Sequence, residues 1–223
     1  MGEGLSNRVK RTVRSRVFNI VEKAGRRVGY PGPPLHFDQI SSHFHLKDLY
    51  DQILDVPGDI AECGVAYGHS LMVLCALAQL EGANRAVYGF DSFEGFPEPT
   101  AEDDSYRAPK KGDFADATLE RVKRAIRRAG VREPVLVKGF LEDTLPRFNA
   151  PLAFLHLDLD LYSSYKVALG ELFDRVAPGG IVAFDEYQQP KWPGATLAID
   201  EFVGGRYQMR KGRFVDKYYV VKR

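Results

Sequence analysis

The sequence predicts a doubly wound parallel α/β sheet closed by a C-terminal antiparallel hairpin, and three observations carry that expectation. From Asp59 onward, short apolar runs alternate with longer amphipathic segments, the pattern of strand–helix–strand units. Two apolar runs, 151–155 and 180–184, lead into acids: Leu157-Asp-Leu-Asp160 after the first and Asp185-Glu186 after the second. The last stretch, 207–222, reads as two strands around a Lys211-Gly212 turn, a hairpin suited to the edge of a mixed sheet.

Taken in order, strands are expected near 59–63, 86–91, 134–138, 152–158 and 181–185, and helices near 69–81, 116–129, 163–176 and 194–203. A Pro178-Gly-Gly180 turn separates the last two strands. Residues 30–58 precede the first strand and should hold a helix around 45–54. The segment 92–115 is long, charged and rich in Pro and Gly, as functional lids and disordered loops are. The chain then divides into an N-terminal helical, substrate-capping region, 1–57, and a catalytic domain, 58–223.

The 223 residues suit one α/β domain with a sizeable core. A net charge of +1 with 27% charged residues gives no reason to expect a nucleic-acid partner. Residues 1–30 carry eight Lys or Arg against Glu3 and Glu22, and Val9, Val13, Val17, Ile20, Val21 and Ala24 recur at spacings of three and four. That is an amphipathic basic helix, expected to pack on the domain or self-associate, with an anionic membrane surface as the alternative. No apolar run reaches the ~18 residues of a membrane span, and no secretory signal is visible, so a cytoplasmic location is expected. Cys63 and Cys75 lie in apolar segments and read as buried free thiols.

Parallel neighbours end on the same sheet edge, where open α/β sheets bind their ligands. Asp158, Asp160, Asp185 and Glu186 should therefore converge, and carboxylates gathered in that way call for a hard divalent cation. The other half of the site follows the first strand. In Glu62-Cys-Gly64-Val-Ala-Tyr-Gly68-His-Ser70, the glycines permit close backbone approach and the helix N-terminus presents unpaired N–H groups. Asp91 closes the next strand, where an acid can accept both ribose hydroxyls of an adenosine cofactor. A dinucleotide favours a full glycine fingerprint, but Ala66 occupies the middle position. S-adenosylmethionine (SAM), which has no pyrophosphate and whose amino acid moiety Glu62 can hold, fits better.

The order Glu62-x-Gly64-x-x-x-Gly68, Asp91-Ser-Phe-Glu-Gly-Phe-Pro97, Gly139-Phe-Leu-Glu-Asp-Thr-Leu-Pro146, Asp158-x-Asp160-x-Tyr162, Pro178-Gly-Gly, Asp185-Glu-Tyr187 and Trp192-Pro-Gly resembles the macrocin O-methyltransferase (TylF-like) family over about residues 58–203. The resemblance implies a Rossmann-like class I SAM methyltransferase with a seven-stranded sheet and transfer of a methyl group to a hydroxylated small molecule, above all a sugar. It implies Mg²⁺ ligation by Asp158, Asp185 and Glu186, with Asp160 as general base and Asp91 as ribose ligand. Some members have Asp-Asp where this chain has Asp185-Glu186, which lengthens the second ligand by one methylene. Gly64, Gly68, Ser70, Ser92, Gly139, Phe140 and Asp158 complete the expected cofactor side, Ser92 near the ribose and Phe140 where the adenine would lie. His156 shares the strand alternation of Asp158 and Asp160 but is expected as a hydrogen-bonded core residue. The competing readings are an NAD(P)-linked oxidoreductase and a non-catalytic adapter that assembles, as a homo-oligomer for example, through its basic helix.

Overall fold

The structure, a computed structural model, describes residues 37–223; the basic segment 1–30 and most of the predicted N-terminal cap lie outside them. Helix α1 (Phe37–Tyr50) precedes β1 (Asp59–Cys63), α2 (His69–Glu81), β2 (Val87–Asp91), α3 (Leu119–Ala129), β3 (Val135–Lys138) and the single turn α4 (Leu141–Thr144). Then follow β4 (Leu152–Leu157), α5 (Tyr162–Leu172), β5 (Val176–Phe184), α6 (Pro193–Val203), β6 (Arg210–Lys211) and β7 (Tyr218–Val221). They build one seven-stranded sheet in the order β3-β2-β1-β4-β5-β7-β6. Strands β1–β5 run parallel, and β7 pairs antiparallel with both β5 and β6. The doubly wound sheet and the antiparallel hairpin expected from the sequence are both present.

Alternation along the central strands divides the core in two. Ala61, Cys63, Leu155, Leu157, Val182 and Phe184 meet Tyr165, Ala168, Leu169 and Leu172 of α5 and Ala195, Ala198 and Ile199 of α6 on one face. Ile60, Phe154, Ile181 and Ala183 meet residues of α1, α2 and α3 on the other. All six residues of β4 are buried, as a central parallel strand with helices on both sides requires. Cys63 and Cys75 are buried free thiols, and desolvation pushes both above the usual thiol range.

Three expected boundaries moved. Helix α1 begins at Phe37 and ends at Tyr50 rather than covering 45–54, because Leu46, Leu49 and Tyr50 supply the face that packs on α2. The Pro178-Gly-Gly180 turn lies inside β5, where a register shift opposite Leu152 and Phe154 absorbs it. Gly179 N–H donates to the Lys222 carbonyl and Lys222 N–H to that of Gly180, so the segment joins the sheet instead of leaving it. The hairpin connection is not a tight turn at Lys211-Gly212 but the loop 212–217, closed by a 2.7 Å bond from Gly212 N–H to the Lys217 carbonyl.

Candidate active site

Strand order reverses between β1 and β4, which makes their carboxyl ends the topological switch point. The two ends are in direct contact: Asp158 N–H donates to the Cys63 carbonyl at 3.0 Å. Gly64 (φ 89°) leaves no room between them, since a Cβ there would overlap the Asp158 carbonyl oxygen and lie 2.7 Å from its carbon. A cavity of about 660 Å³ opens above this junction, bordered by Gly64, Asp91, Gly139 and Phe140 at one end and by Asp158, Asp160, Asp185 and Glu186 at the other.

At the first end, Asp91 bends the β1–α2 and β2 turns toward each other. Its Oδ2 accepts Ala66 N–H at 2.9 Å and its Oδ1 accepts Phe93 N–H at 2.6 Å, both from residues held at positive φ. Each oxygen keeps further acceptor capacity beyond these bonds, and Asp91 borders the cavity. Ser92 serves the following turn, donating to the Gly95 carbonyl and accepting Glu94 N–H. Gly68 starts α2 in a left-handed conformation, and Ser70 faces a second cavity rather than this one. Glu62 does not line the cleft. It is fully buried behind Gly64, with Oε1 2.8 Å from His156 Nδ1 and Oε2 without a partner among the described residues. Both residues occupy paired positions of β1 and β4 on the same sheet face, which is why the acid expected beside the cofactor finds an imidazole instead.

At the other end, Asp158, Asp160 and Glu186 offer carboxylate oxygens all within 4.8 Å of one another. The convergence has a different local cause from strand alternation: β4 ends at Leu157, and Asp160 (φ 61°) turns back in a left-handed conformation. Glu186 holds that turn. Its Oε2 accepts the N–H groups of Leu159 (3.3 Å) and Asp160 (3.4 Å) and lies 2.5 Å from the Tyr165 hydroxyl of α5. Burial, and then the neighbouring carboxylates, raise Glu186 well above its ordinary range. Burial and Asp158 push Asp160 up to about 8, against the opposing pull of Lys191, Arg107 and Lys217. Asp185 is directed elsewhere: its Oδ1 is ion-paired with Lys217 and lies 3.8 Å from His156 Nε2. Burial lowers the Lys217 amine, although Asp158 and Asp160 oppose the shift.

The long 92–115 segment forms a wall of the cavity. Phe96 N–H donates to the Asp113 carbonyl and Gly112 N–H to that of Phe96, both at 3.0 Å. Phe96 packs edge-on against Phe114 and Trp192, and Arg107 lies over both of the latter rings. Asp103, 2% exposed, accepts Tyr162 N–H at the start of α5 and Thr100 N–H, both at 2.8 Å. The Thr100-x-x-Asp103 spacing is the local signal by which this cap could have been found; nothing local signals Tyr165 or Lys217. A second cavity, about 870 Å³, lies between α1 and the hairpin and meets the first at Gln39, Asp158, Asp185 and Lys191.

A family model described as macrocin O-methyltransferase (TylF) matches residues 6–215. The chain belongs to the macrocin O-methyltransferase family. Within this TylF family setting, the chain is 37% identical over 142 residues to the 8-demethyl-8-(2,3-dimethoxy-alpha-L-rhamnosyl)-tetracenomycin-C 4'-O-methyltransferase of Streptomyces olivaceus, covering 59% of this chain and 54% of that one. It is 31% identical over 160 residues to the demethyldecarbamoylnovobiocin O-methyltransferase of Streptomyces niveus, covering 66% and 59%. The alignments thus span a little over half the length of these curated relatives. Among solved structures, the calicheamicin methyltransferase CalS11 superposes with a TM-score of 0.74 at 30% identity, covering 92% of this chain and 91% of that one. The O-methyltransferase NovP gives 0.71 at 25%, covering 82% and 80%. The fold is that of the class I O-methyltransferases.

Proposed function

We propose that this TylF-family chain is a SAM-dependent, Mg²⁺-dependent O-methyltransferase acting on a sugar hydroxyl of a small molecule. The observation that carries the reading is the continuity of the cavity across the switch point, from Asp91 and Gly139 to the carboxylates at Asp158, Asp160 and Glu186. The names of the relatives, one of which specifies a rhamnosyl tetracenomycin, support the substrate class.

The donor sets fit both groups. Asp158 and Glu186 belong to a cluster of hard oxygen donors within 4.8 Å of one another and Asp185 borders the same cavity, a set that suits a divalent cation. The acid-bearing turn and aromatic border at Asp91 and Phe140 suit an adenosine. When bound, SAM would supply the methyl group and Mg²⁺ would act as a Lewis acid on the acceptor oxygen. Asp158 and Glu186 would hold the metal, with Asp185 at the meeting of the two cavities as the third ligand. Asp91, fixed by two backbone N–H groups, would accept the ribose hydroxyls. Asp160 would take the acceptor's proton, its carboxylate lying within 4.8 Å of those of Asp158 and Glu186 and so beside the proposed metal. Glu186 and Tyr165 hold the turn that aims it.

Calorimetric titration of SAM, alone and then with Mg²⁺ or a chelator, tests the reading. Saturable SAM binding in the micromolar range is expected, and no binding below about millimolar would reject it. SAM binding with no heat from Mg²⁺ in any state would leave the methyltransferase and remove the ion. An adapter would bind neither. The dinucleotide reading has no observation in its favour, since Ala66 stands in the middle glycine position and its N–H is bonded to Asp91.

A further inference from the structure

The C-terminal hairpin brings to the carboxylate cluster a lysine to which the proposed reaction assigns no task. Lys217 ends the 212–217 loop, and its side chain is only 18% exposed. The loop is clamped: Gly212 N–H bonds the Lys217 carbonyl, and a Cβ on Gly212 would lie 2.6 Å from the His45 ring of α1. The ammonium therefore reaches the junction of the two cavities from a fixed backbone and pairs there with Asp185. Asp185 faces His156 on another side, and His156 is backed in turn by the buried Glu62. Asp158 and Asp185 line both cavities at this junction, Asp160 and Glu186 border the first, and Lys217, from the second, is the ammonium ion-paired to Asp185.

A buried ammonium is costly unless its partner is worth the desolvation, and a divalent cation is drawn to the same carboxylate. We propose that Lys217 is a positioning residue that holds Asp185 and competes with the divalent cation for it, thereby setting the affinity of the site for metal. The inference rests on the metal reading above. Because the two cations repel at short range across a partly desolvated site, Lys217 weakens metal binding while it keeps Asp185 oriented in the ion's absence.

Titration of Mg²⁺ alone into the wild-type chain and into Lys217→Met tests this, with circular dichroism to verify the fold. Loss of the competing charge should tighten Mg²⁺ binding by about tenfold or more, and Lys217→Arg, which keeps the charge, should stay near wild type. A lysine that merely braced the hairpin would weaken binding when removed. Lys217→Gln is the second neutral variant should Lys217→Met unfold; loss of fold in both overturns the inference in favour of a structural role. Unchanged or weaker binding in a folded neutral variant, with wild-type binding intact, overturns the inference and leaves the metal reading standing. No binding by wild type or neutral variants overturns both. Binding confined to the neutral variants supports it, with Lys217 then excluding the ion outright.

Discussion

Gly64→Ala tests the contact between β1 and β4 on which the whole site depends. A Cβ at residue 64 would lie 2.7 Å from the Asp158 carbonyl carbon and overlap its oxygen, whereas carbon atoms in contact prefer about 3.5–4.0 Å. Relieving the overlap with the oxygen requires the strand ends to separate by roughly 1.5 Å or more. Overpacking of that kind costs about 1–3 kcal/mol, and loosening the Asp158 N–H bond to Cys63 adds about 1 kcal/mol. Gly82→Ala is the control, because Gly82 has a similar positive φ (76° against 89°) with nothing within 4 Å of an added methyl group. The strain of a left-handed alanine, about 1–2 kcal/mol, is common to both variants and cancels. Gly64→Ala should therefore be less stable than Gly82→Ala by about 2–4 kcal/mol, or some 4–16 °C in Tm for a chain of this size. It should also lose SAM affinity, which Gly82→Ala should keep. Thermal denaturation followed by circular dichroism, with SAM calorimetry on both, gives the answer. Equal Tm values for the two variants would refute the close approach at the switch point.

Asp160→Asn retains a residue type that tolerates the left-handed turn and removes the proposed base; SAM binding should persist while turnover falls about 10²–10⁴-fold, and undiminished turnover with the true acceptor would reject the role. Tyr165→Phe takes a hydroxyl from Glu186 Oε2 and the Leu157 carbonyl and should cost about 1–3 kcal/mol in urea denaturation, the range for a buried polar group left without its partner; a change within about 0.5 kcal/mol, the spread of neutral substitutions, would show that Glu186 does not depend on it. His45 is pulled down to about 4 by burial first and by His156 and Lys217 next, so the unfolded chain takes up its proton first as pH falls. This histidine leaves stability unaffected above about pH 6.5 and lowers it progressively between about 6.5 and 4. The urea midpoint of wild type should therefore fall by more than that of His45→Gln on acidification from about pH 7 to about pH 5, and parallel pH profiles would contradict the burial of a neutral ring.

The acids at Asp158, Asp160, Asp185 and Glu186 were legible because each pair follows an apolar run, and parallel strands linked by a right-handed crossover must end on one edge. Asp91 was legible for the same reason. The surroundings of Glu62 were not legible, because its position in the motif says which strand it ends but not which sheet face it joins. Only the pairing of β1 with β4 sets it opposite His156. The 92–115 segment carried a recognisable loop composition, yet its folding back through Phe96 and Asp113 depends on Trp192, almost a hundred residues away.

The sequence by itself determined the order of elements, the sheet class and the edge at which the chemistry gathers, since apolar periodicity and turn residues are local properties that report which segments are strands and where they end. The tertiary structure alone decided how the four acids divide. Glu186 binds the Asp160 turn and Tyr165, Asp185 turns to Lys217 and His156, and Asp160 reaches the cluster through a left-handed backbone. Those choices follow from register, from a hairpin that returns to the site from the end of the chain, and from burial that makes every unpaired carboxylate seek a partner; none of them is written in the spacing of neighbouring residues.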